Sequence, residues 1–395
     1  MINDSSTSAA YEVAIVGAGP AGSACAALLG RAGLRVLLCD KASFPRPKIC
    51  GETVNPRCWD VFDALGVADE VERSIHNRIA AISVTDKKGR EVRVEVGKRG
   101  GRCFFSMGRD VLDHILVRSA QSTGVEFRDG RTVTRVAWDG CWRIEFRDGK
   151  SGEKSSVTAG YLIGADGRNS TIAGHLATRP EVSGRGTRPT SDSDRVGVQW
   201  HAALRPEIAG ALHMYLFDAG YCGLVAVDGR HTNVSMVTRP ELASLATADF
   251  RSFLEKTLWS NPVAAARFLE LNPVGKIVKT SPINPRCNPF DHPHATLIGD
   301  ASQTVEPFTG EGIRYALEDG IAAARRLISE RNGMGAGAAR MNSRFRVNRV
   351  FSPVLRNPTI RDGLISLGAR FPTLSRWVVG TVIPGVGGKP HNNES

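Results

Sequence analysis

The sequence predicts an α/β protein that opens with a dinucleotide-binding unit, continues into an antiparallel sheet and ends in a helical tail. Three observations predict it. The apolar run Val13 to Val16 meets the glycine-rich GAGPAG of residues 17–22, a second apolar run leads to Asp40, and strand-like alternation dominates residues 196–237. Strand, glycine turn, helix and a second strand ending in an acid form, in that order, the unit that binds a dinucleotide.

Each glycine of the first turn has a predicted task. Gly17 serves the tight turn, Gly19 lets the backbone approach a pyrophosphate, and Gly22 lets the helix pack on the strand. The helix that follows would direct its N-terminal amides and positive dipole end at the phosphates. The predicted cofactor contacts of this turn are Gly17, Gly19, Pro20, Ala21 and Gly22.

The acid at the end of the second strand indicates which dinucleotide binds. A carboxylate such as Asp40, about twenty residues beyond the glycines, accepts ribose hydroxyls. It favours an unphosphorylated ribose, and therefore FAD or NAD over NADP. The adjacent Lys41 is included in this predicted site.

Length and composition indicate a globular protein of two or three domains, with 395 residues, 42% of them hydrophobic and 23% charged. The net charge of +11 comes from scattered basic residues, and no basic stretch interleaved with aromatics predicts nucleic-acid binding. Eight cysteines without a CxxC pair predict no metal site and no disulfide framework, but reduced thiols in a cytoplasm. A polar start and the lack of a long apolar run predict a cytoplasmic protein without a transmembrane segment.

The loop of residues 41–55 is where we expect chemistry. Its prolines prevent early helix formation, so it should lie extended over the first unit. It carries Arg46, Lys48, Cys50 and Glu52 beside the predicted cofactor.

Further elements follow from apolar periodicity and turn residues. Helices are predicted at 58–65, 109–124 and 243–259, and strands at 80–97, 132–138, 141–146 and 161–163, with several more between 196 and 237. Residues 295–328 predict strand, loop and helix, residues 177–193 a polar connection, and residues 350–382 a helical tail broken by prolines.

Two later motifs extend the predicted site. GADGRNS places Asp166 and Gly167 just past a strand end, where the carboxylate either accepts hydrogen bonds from a ribose or holds its own loop. GDASQTVEPFTGEG places Asp300 after a strand, and Gly310 and Gly312 at a helix N-terminus. Amides there would stabilise negative charge on a reduced flavin ring.

GAGPAG, GADGRNS and GDASQTVEPFTGEGIRYALEDG, in this order, resemble the FAD-dependent hydroxylase and geranylgeranyl-reductase superfamily over about residues 12–330. The resemblance implies a Rossmann-type FAD-binding domain of the glutathione-reductase kind, with an inserted antiparallel-sheet substrate domain. We expect the FAD-binding domain at 10–80, 105–178 and 280–335, the substrate domain at 81–104 and 179–279, and a C-terminal helical region at 336–395.

The resemblance also implies roles for individual residues. Arg109 matches the family arginine that lies along the cofactor, and Asp166 the acid that serves FAD and NAD(P)H together. Asp300 matches the acid at the ribityl and pyrophosphate region. The loop beside the isoalloxazine is Pro307 to Ile313, with Pro307, Gly310, Gly312 and Ile313 as its contacts.

Within the superfamily, FPRPKICGETVNP is most similar to the geranylgeranyl-reductase and flavin-halogenase branch. Cys50 is similar to the cysteine that the reductases carry beside the flavin, and the GET that follows resembles the GES of halogenases. The segment GYCGLVA, residues 220–226, departs from the GWxWxIP of halogenases and half meets the GYxWxFP of reductases. Tryptophan halogenation is therefore disfavoured.

Three residues are candidates for catalysis. Cys50 is either a small buried hydrophobe or a thiol that acts near the flavin. Glu52 is either an acid/base or a structural acceptor. Tyr221 lies, with His213, on strands predicted to roof the substrate cavity, and the alternative is a core tyrosine and an exposed histidine.

The leading hypothesis is an NAD(P)H-driven FAD monooxygenase, a tailoring enzyme that hydroxylates an organic or peptidyl substrate. The second is an ene-reductase of isoprenoid chains, and the third a halogenase-like enzyme or a maturation factor acting on a partner protein. The sequence contains no second dinucleotide unit. Either NADH or NADPH then binds transiently at the FAD domain, or a separate flavin reductase supplies electrons.

Overall fold

A computed structural model describes residues 10–98, 100–177, 195–283, 286–288, 292–333 and 357–370. Its helices are α1 (Pro20–Arg31), α2 (Cys58–Ala64), α3 (Ala68–Arg73), α4 (Arg109–Gln121), α5 (Thr171–Ala177), α6 (Pro240–Leu245), α7 (Phe250–Leu258), α8 (Pro262–Phe268), α9 (Gly312–Arg331) and α10 (Pro358–Arg370). Single 3-10 turns lie at Pro206–Ile208, Gly299–Ala301 and Pro307–Thr309.

The strands are β1 (Tyr11–Val16), β2 (Val36–Cys39), β3 (Thr53–Val54), β4 (Asn77–Ile79), β5 (Ala81–Thr85), β6 (Glu91–Glu95), β7 (Phe104–Ser106), β8 (Glu126–Arg128), β9 (Arg131–Trp138), β10 (Trp142–Asp148), β11 (Lys154–Gly164), β12 (Val196–Ala203), β13 (Ala211–Phe217), β14 (Gly220–Ala226), β15 (His231–Thr238), β16 (Pro273–Thr280), β17 (Arg286–Cys287), β18 (Ala295–Leu297) and β19 (Gln303–Thr304).

The first sheet has the strand order β8-β2-β1-β11-β10-β9, with β18 beside the end of β11. Strands β8, β2, β1, β11 and β18 run parallel, whereas β9 and β10 form an antiparallel meander with β11. Because Val16 pairs with Gly164, the loops that follow β1 and β11 leave the sheet at the same edge. Ligands bind at this edge of open α/β sheets.

Helices α1, α4 and α9 share one apolar core with this sheet. The crossing of α1 and α9 is unusually close, since a Cβ on Gly320 of α9 would lie 2.2 Å from the carbonyl oxygen of Ala21 in α1. The two helices therefore fix each other's N-terminal ends at the same edge of the sheet.

The second large sheet has the order β16-β12-β15-β14-β13-β5-β6 and is antiparallel except between β5 and β13. Side chains alternate between its faces. Trp200 and Tyr215 belong to an apolar core shared with α7 and α8 on the outer face. Leu212, Met214 and Tyr221 belong to a separate cluster on the inner face. The inner face is turned toward the loops of the first sheet.

The α/β class and the predicted order of motifs agree with this architecture, but several elements differ in detail. Strand β11 is longer than the predicted 161–163. The predicted helix at 243–259 is two helices, because Asp249 caps a new one by accepting from the Ser252 amide. Helices α3, α5 and α8, the largely exposed strand β16 and the short strands β3, β4, β7, β8, β17 and β19 were not predicted. The division into domains stays a prediction.

Two predicted segments fall wholly or largely outside the described residues. The polar connection at 177–193 does so except for its first residue, and of the helical tail at 350–382 the described part forms α10. Among the residues that the structure describes, no helix is both long and apolar enough to cross a membrane.

Candidate functional site

The turn between β1 and α1 contains two glycines that leave no room for a side chain and one that faces open space. Gly17 has φ = +107°, and a Cβ on it would lie 2.3 Å from the backbone of the loop after β11. A Cβ on Gly22 would lie 1.9 Å from the Gly17 carbonyl oxygen. At Gly19, by contrast, a Cβ would meet nothing closer than the guanidinium nitrogens of Arg46 and Arg109, at 3.9 and 4.0 Å. The open side of Gly19 therefore faces a space bordered by cations, as a phosphate requires.

Acids hold two of the cations beside this turn in place. Arg109, the first residue of α4, donates two hydrogen bonds of 2.8 Å to Asp113. Arg46 lies 3.4 Å from Asp40 and 3.3 Å from Asp113. Lys48 borders the same cavity, and burial lowers its pKa, which the neighbouring Arg109 lowers further. The cluster is thus preorganised to receive an anion.

The carboxylate of Asp40 supports the glycine turn. Its oxygens accept hydrogen bonds from the backbone amides of Ala18 and Ala42, both at 2.9 Å. Lys41 is exposed and is not among the residues that border the cavity. The ribose contact of Asp40 and the cofactor contact of Lys41 stay predictions.

In the loop after β11, Asp166 caps α5. It accepts from the Ser170 hydroxyl at 2.5 Å and from the Thr171 amide at 2.7 Å. Burial raises the pKa of Asp166. These contacts are those of a carboxylate that holds its own loop. Asp166 does not border the cavity, whereas the adjacent Gly167 does.

Arg168 in the same loop has unused hydrogen-bonding capacity. It borders the cavity, and its Nη2 lies 3.9 Å from Asp300 Oδ2. Its Nη1 is buried and has no hydrogen-bond partner within the described part of the chain. A buried donor without a partner costs about 1 to 3 kcal/mol, so this atom is placed for a ligand acceptor.

The third motif borders the cavity from the side of α9. Asp300 lies in the 3-10 turn after β18. Gly310, with φ = +65°, ends the next 3-10 turn and lets the chain enter α9 at Gly312. Pro307, Gly310, Gly312 and Ile313 all border the cavity. The N-terminus of α9 therefore borders the cavity, and the contact of its amides with a flavin ring stays a prediction.

Cys50 lines the cavity where the loop of residues 41–55 meets the second sheet. Its amide donates to Gln199 Oε1 at 3.0 Å. Its carbonyl oxygen accepts from Asn233 Nδ2 at 2.8 Å and from Ser235 Oγ at 3.0 Å. The Arg109 guanidinium lies beside its sulfur. The thiol is therefore held beside a cation at the cavity wall.

Glu52 lies behind the cavity wall, only 3% exposed, with φ = +55°. Its Oε2 accepts from Asn233 Nδ2 at 2.7 Å and lies 2.9 Å from His201 Nε2. Its Oε1 accepts from the Arg109 amide at 3.4 Å. The hydrogen bond to Glu52 raises the pKa of His201. These contacts are those of a structural acceptor, and an acid/base role for Glu52 stays a prediction.

Tyr221 belongs to a buried network that the sequence did not predict. Its hydroxyl donates to Glu306 Oε1 at 2.6 Å, and Arg195 donates to both Glu306 oxygens at 3.2 and 2.6 Å. Burial and the Glu306 carboxylate raise the pKa of Tyr221 well above its ordinary value. Glu306 precedes Pro307 in the third motif, but 111 residues separate it from Arg195, so no spacing could pair them.

The cavity has a volume of about 370 Å³ and is walled by both sheets. Its apolar wall comprises Leu212, Met214, Val237, Ile283, Val305 and Phe308. His213 alternates along β13 with Leu212 and Met214, so it points to the outer face and the predicted roof position is wrong. Gly223 does border the roof, where the halogenase and reductase patterns carry tryptophan.

Most of the predicted site residues converge on this cavity. Those that border it are Gly19, Pro20, Ala21, Cys50, Arg109, Gly167, Tyr221, Asp300, Pro307, Gly310, Gly312 and Ile313. Gly17, Gly22, Asp40, Lys41, Glu52 and Asp166 lie behind it or beside it. The polar residues that the sequence did not single out are Arg168, Arg195, Gln199, His201, Asn233, Ser235 and Glu306.

This donor set fits FAD. The open backbone at Gly19, the surrounding cations and the unpartnered Arg168 Nη1 are suited to a diphosphate, and the N-terminus of α9 is suited to a flavin that becomes negatively charged on reduction.

Comparison with known proteins agrees with this assignment. The chain is 30% identical over 360 residues to a menaquinone reductase of Mycobacterium tuberculosis, covering 83% of this chain and 82% of that protein. It is 26% identical over 398 residues to conditioned medium factor receptor 1 of Dictyostelium discoideum, covering 93% and 76%. A flavoprotein/dehydrogenase structure from Cytophaga hutchinsonii superposes with a TM-score of 0.75 at 19% identity, covering 89% and 87%. A family model described as an FAD binding domain matches residues 10–343, and the chain therefore belongs to the FAD binding domain family of flavoprotein oxidoreductases.

Proposed function

We propose that this FAD-dependent oxidoreductase reduces a carbon–carbon double bond of an isoprenoid lipid. The observation that carries the proposal is Cys50, a thiol held by the second sheet at the wall of a largely apolar cavity. The similarity to a menaquinone reductase, which is named for an isoprenoid quinone, supports this substrate class. Tyr221 on the roof weighs against the halogenase-like alternative, since the reductase pattern GYxWxFP carries tyrosine at this position and the halogenase pattern GWxWxIP carries tryptophan.

The protein's own residues would bind, orient and protonate the substrate. Reduced FAD, when bound, supplies a hydride. Gly19, Arg46 and Arg109 would hold its phosphates, and the amides at the start of α9 would face its ring. The apolar wall excludes water and aligns the chain of the substrate. The Cys50 thiol would give its proton to the second carbon of the double bond.

Hydroxylation, the leading hypothesis from the sequence, is the second candidate. The Tyr221 hydroxyl favours it, because a proton donor held by a buried carboxylate borders the same apolar cavity. An organic or peptidyl substrate would then receive one oxygen atom. In either reaction the electron donor is NADH, NADPH or a separate flavin reductase, and the experiment below distinguishes these.

The test is a single-turnover reduction without oxygen. The protein is loaded with FAD, reduced with NADH or NADPH, and mixed with a detergent-dispersed menaquinone that carries an unsaturated chain. We expect oxidised flavin to return anaerobically, and mass spectrometry of the product, after reoxidation of its quinone ring in air, to show two hydrogen atoms retained in the chain. Cys50→Ser should slow this step by about tenfold or more. Cys222→Ala is the matched control, because Cys222 belongs to the core on the outer face of the same sheet.

Each remaining outcome has a definite meaning. Flavin that is reoxidised only with oxygen, with a product that gains oxygen, would replace double-bond reduction by hydroxylation. Flavin that dithionite reduces but neither nucleotide does would assign the electron supply to a separate reductase.

A further inference from the structure

Four polar side chains form a patch on the inner face of the second sheet, directly beneath the Cys50 loop. Gln199 pairs with Ser235 across β12 and β15, and His201 pairs with Asn233 two residues further along. Because side chains two residues apart lie on the same face of a strand, all four project from one side of the sheet. We call these four residues the loop clamp.

The loop clamp contacts the loop at two positions. Gln199 and Ser235 bond the amide and the carbonyl oxygen of Cys50. Asn233 Nδ2 bonds both that carbonyl oxygen and the Glu52 carboxylate, which His201 also contacts. The Ser235 hydroxyl reaches Asn233 Oδ1 at 2.9 Å, so the members of the clamp also support one another.

The loop conformation at these positions needs such support. Glu52 is the non-glycine residue with positive φ in the described part of the chain, and it is buried. A side chain in this conformation persists only when its surroundings hold it there. Its amide donates to the Cys50 sulfur at 3.3 Å, so the conformation at Glu52 also orients the thiol.

We infer that Gln199, His201, Asn233 and Ser235 are positioning residues that set the orientation of the Cys50 thiol toward the cavity. The second sheet, which also supplies Gly223 and Val237 to the cavity wall, thereby couples substrate contact to the proton donor. The role of the Cys50 thiol as a proton donor rests on the proposed function. The placement itself rests only on the contacts above.

The test measures the chemical reactivity of Cys50 in the purified full-length flavoprotein, without any substrate. Iodoacetamide modification is followed peptide by peptide, with the half-buried Cys141 and Cys287 as internal references. We expect Ser235→Ala and Asn233→Leu to accelerate modification of Cys50 by about threefold or more, because each frees the loop from at least one hydrogen bond. Both reference cysteines should react at parental rates.

Two further variants make the comparison specific. Thr232→Val is the matched control, since Thr232 neighbours Asn233 on β15 and its hydroxyl is buried without a partner within the described residues. It should leave the rate of Cys50 modification at the parental value. Ser235→Thr keeps a hydroxyl and should restore the parental rate that Ser235→Ala changes.

If Ser235→Ala leaves the rate of Cys50 modification unchanged, the inference is wrong. Because Ser235→Ala is a mild substitution, this test holds even if Asn233→Leu does not fold. In the anaerobic single turnover described above, a positioning role predicts a lower limiting rate of flavin reoxidation, with little change in the substrate concentration that gives half of that rate. If no substrate turns over, the proposed function fails while the modification rates still decide whether the clamp places the thiol.

Discussion

At the scale of single residues, the glycines of the first turn separate a structural task from a binding task. A Cβ on Gly22 would overlap the Gly17 carbonyl oxygen at 1.9 Å, whereas a Cβ on Gly19 would have no atom within 3.9 Å. We predict that Gly22→Ala lowers the free energy of unfolding by about 2 to 3 kcal/mol. Gly19→Ala should leave the thermal midpoint of the flavin-free protein unchanged but weaken FAD binding by about tenfold, or about 1.4 kcal/mol.

Thermal unfolding of the flavin-free variants and fluorescence titration with FAD check these two effects separately. If Gly19→Ala binds FAD with the parental affinity, the diphosphate does not lie against the backbone of Gly19.

Glu311, at the start of α9, gives a residue-scale prediction about pH. Burial raises the pKa of Glu311 to about 7, against the opposing effects of Arg314 and of Asn55, whose Nδ2 donates to it at 2.7 Å. Since this folded-state pKa lies above the ordinary value of 4.5, its contribution to stability is complete below pH 4.5 and is lost as pH rises through 7. The loss amounts to at most about 3 kcal/mol, at 1.36 kcal/mol for each unit of pKa.

Glu311→Gln removes this titration. Urea unfolding at pH 5 and pH 8 should therefore show a smaller fall in the free energy of unfolding for the variant than for the parent. The exposed Glu241→Gln serves as the control. An equal fall in parent and Glu311→Gln would show that the carboxyl is ionised at both pH values.

Which residues the sequence could predict depended on how local their task is. Gly17 is needed by its own φ and by the adjacent turn, so a short motif identifies it. Glu306 and Asn233 act through partners on distant strands, and nothing in a linear pattern marks a polar residue that will be buried. Cys50 was recognisable through its loop, but the side chains that hold it were not.

At the scale of elements, the contact between α1 and α9 determines the shape of the site. Gly320→Ala would place a methyl group 2.2 Å from the Ala21 carbonyl oxygen and force the helices apart. We predict a loss of about 2 to 3 kcal/mol in the free energy of unfolding, together with weaker FAD binding, because the N-termini of both helices border the cavity. Chemical denaturation and FAD titration of the variant measure the two effects.

Gly174→Ala in α5 is the matched helical control, because a Cβ there has open space around it. It should be neutral or stabilising by up to about 1 kcal/mol. If both variants behave alike, the α1–α9 distance does not limit stability.

Elements with a strong apolar period were predictable, and elements defined by their ends were not. The first strand, turn and helix follow from local apolar runs and glycines. The break between α6 and α7 depends on Asp249 acting as a cap, and β16 is an edge strand whose valines are 48% and 39% exposed. Such a strand lacks the alternation that identifies a half-buried one.

At the scale of the whole molecule, buried polar contacts join the first sheet's loops to the second sheet. One group is the loop clamp, and the other is Arg195 with Glu306 and Tyr221. Glu306 is 0% exposed, and Arg195 donates hydrogen bonds to both of its carboxylate oxygens. We predict that Arg195→Met lowers the free energy of unfolding by about 3 to 5 kcal/mol, because it removes the cation that bonds both oxygens of a buried carboxylate.

The double variant Arg195→Met with Glu306→Gln separates the charge from the packing. Glutamine keeps an acceptor for the Tyr221 hydroxyl while it removes the buried charge, so the double variant should regain at least about half of the loss. Tyr221→Phe alone should cost only about 1 kcal/mol, since Arg195 continues to satisfy Glu306. Urea unfolding followed by circular dichroism and by flavin release measures all three variants. If the double variant is no more stable than Arg195→Met, the arginine stabilises the contact between the two sheets by packing. The charge of Glu306 would then not be the reason why this contact needs Arg195.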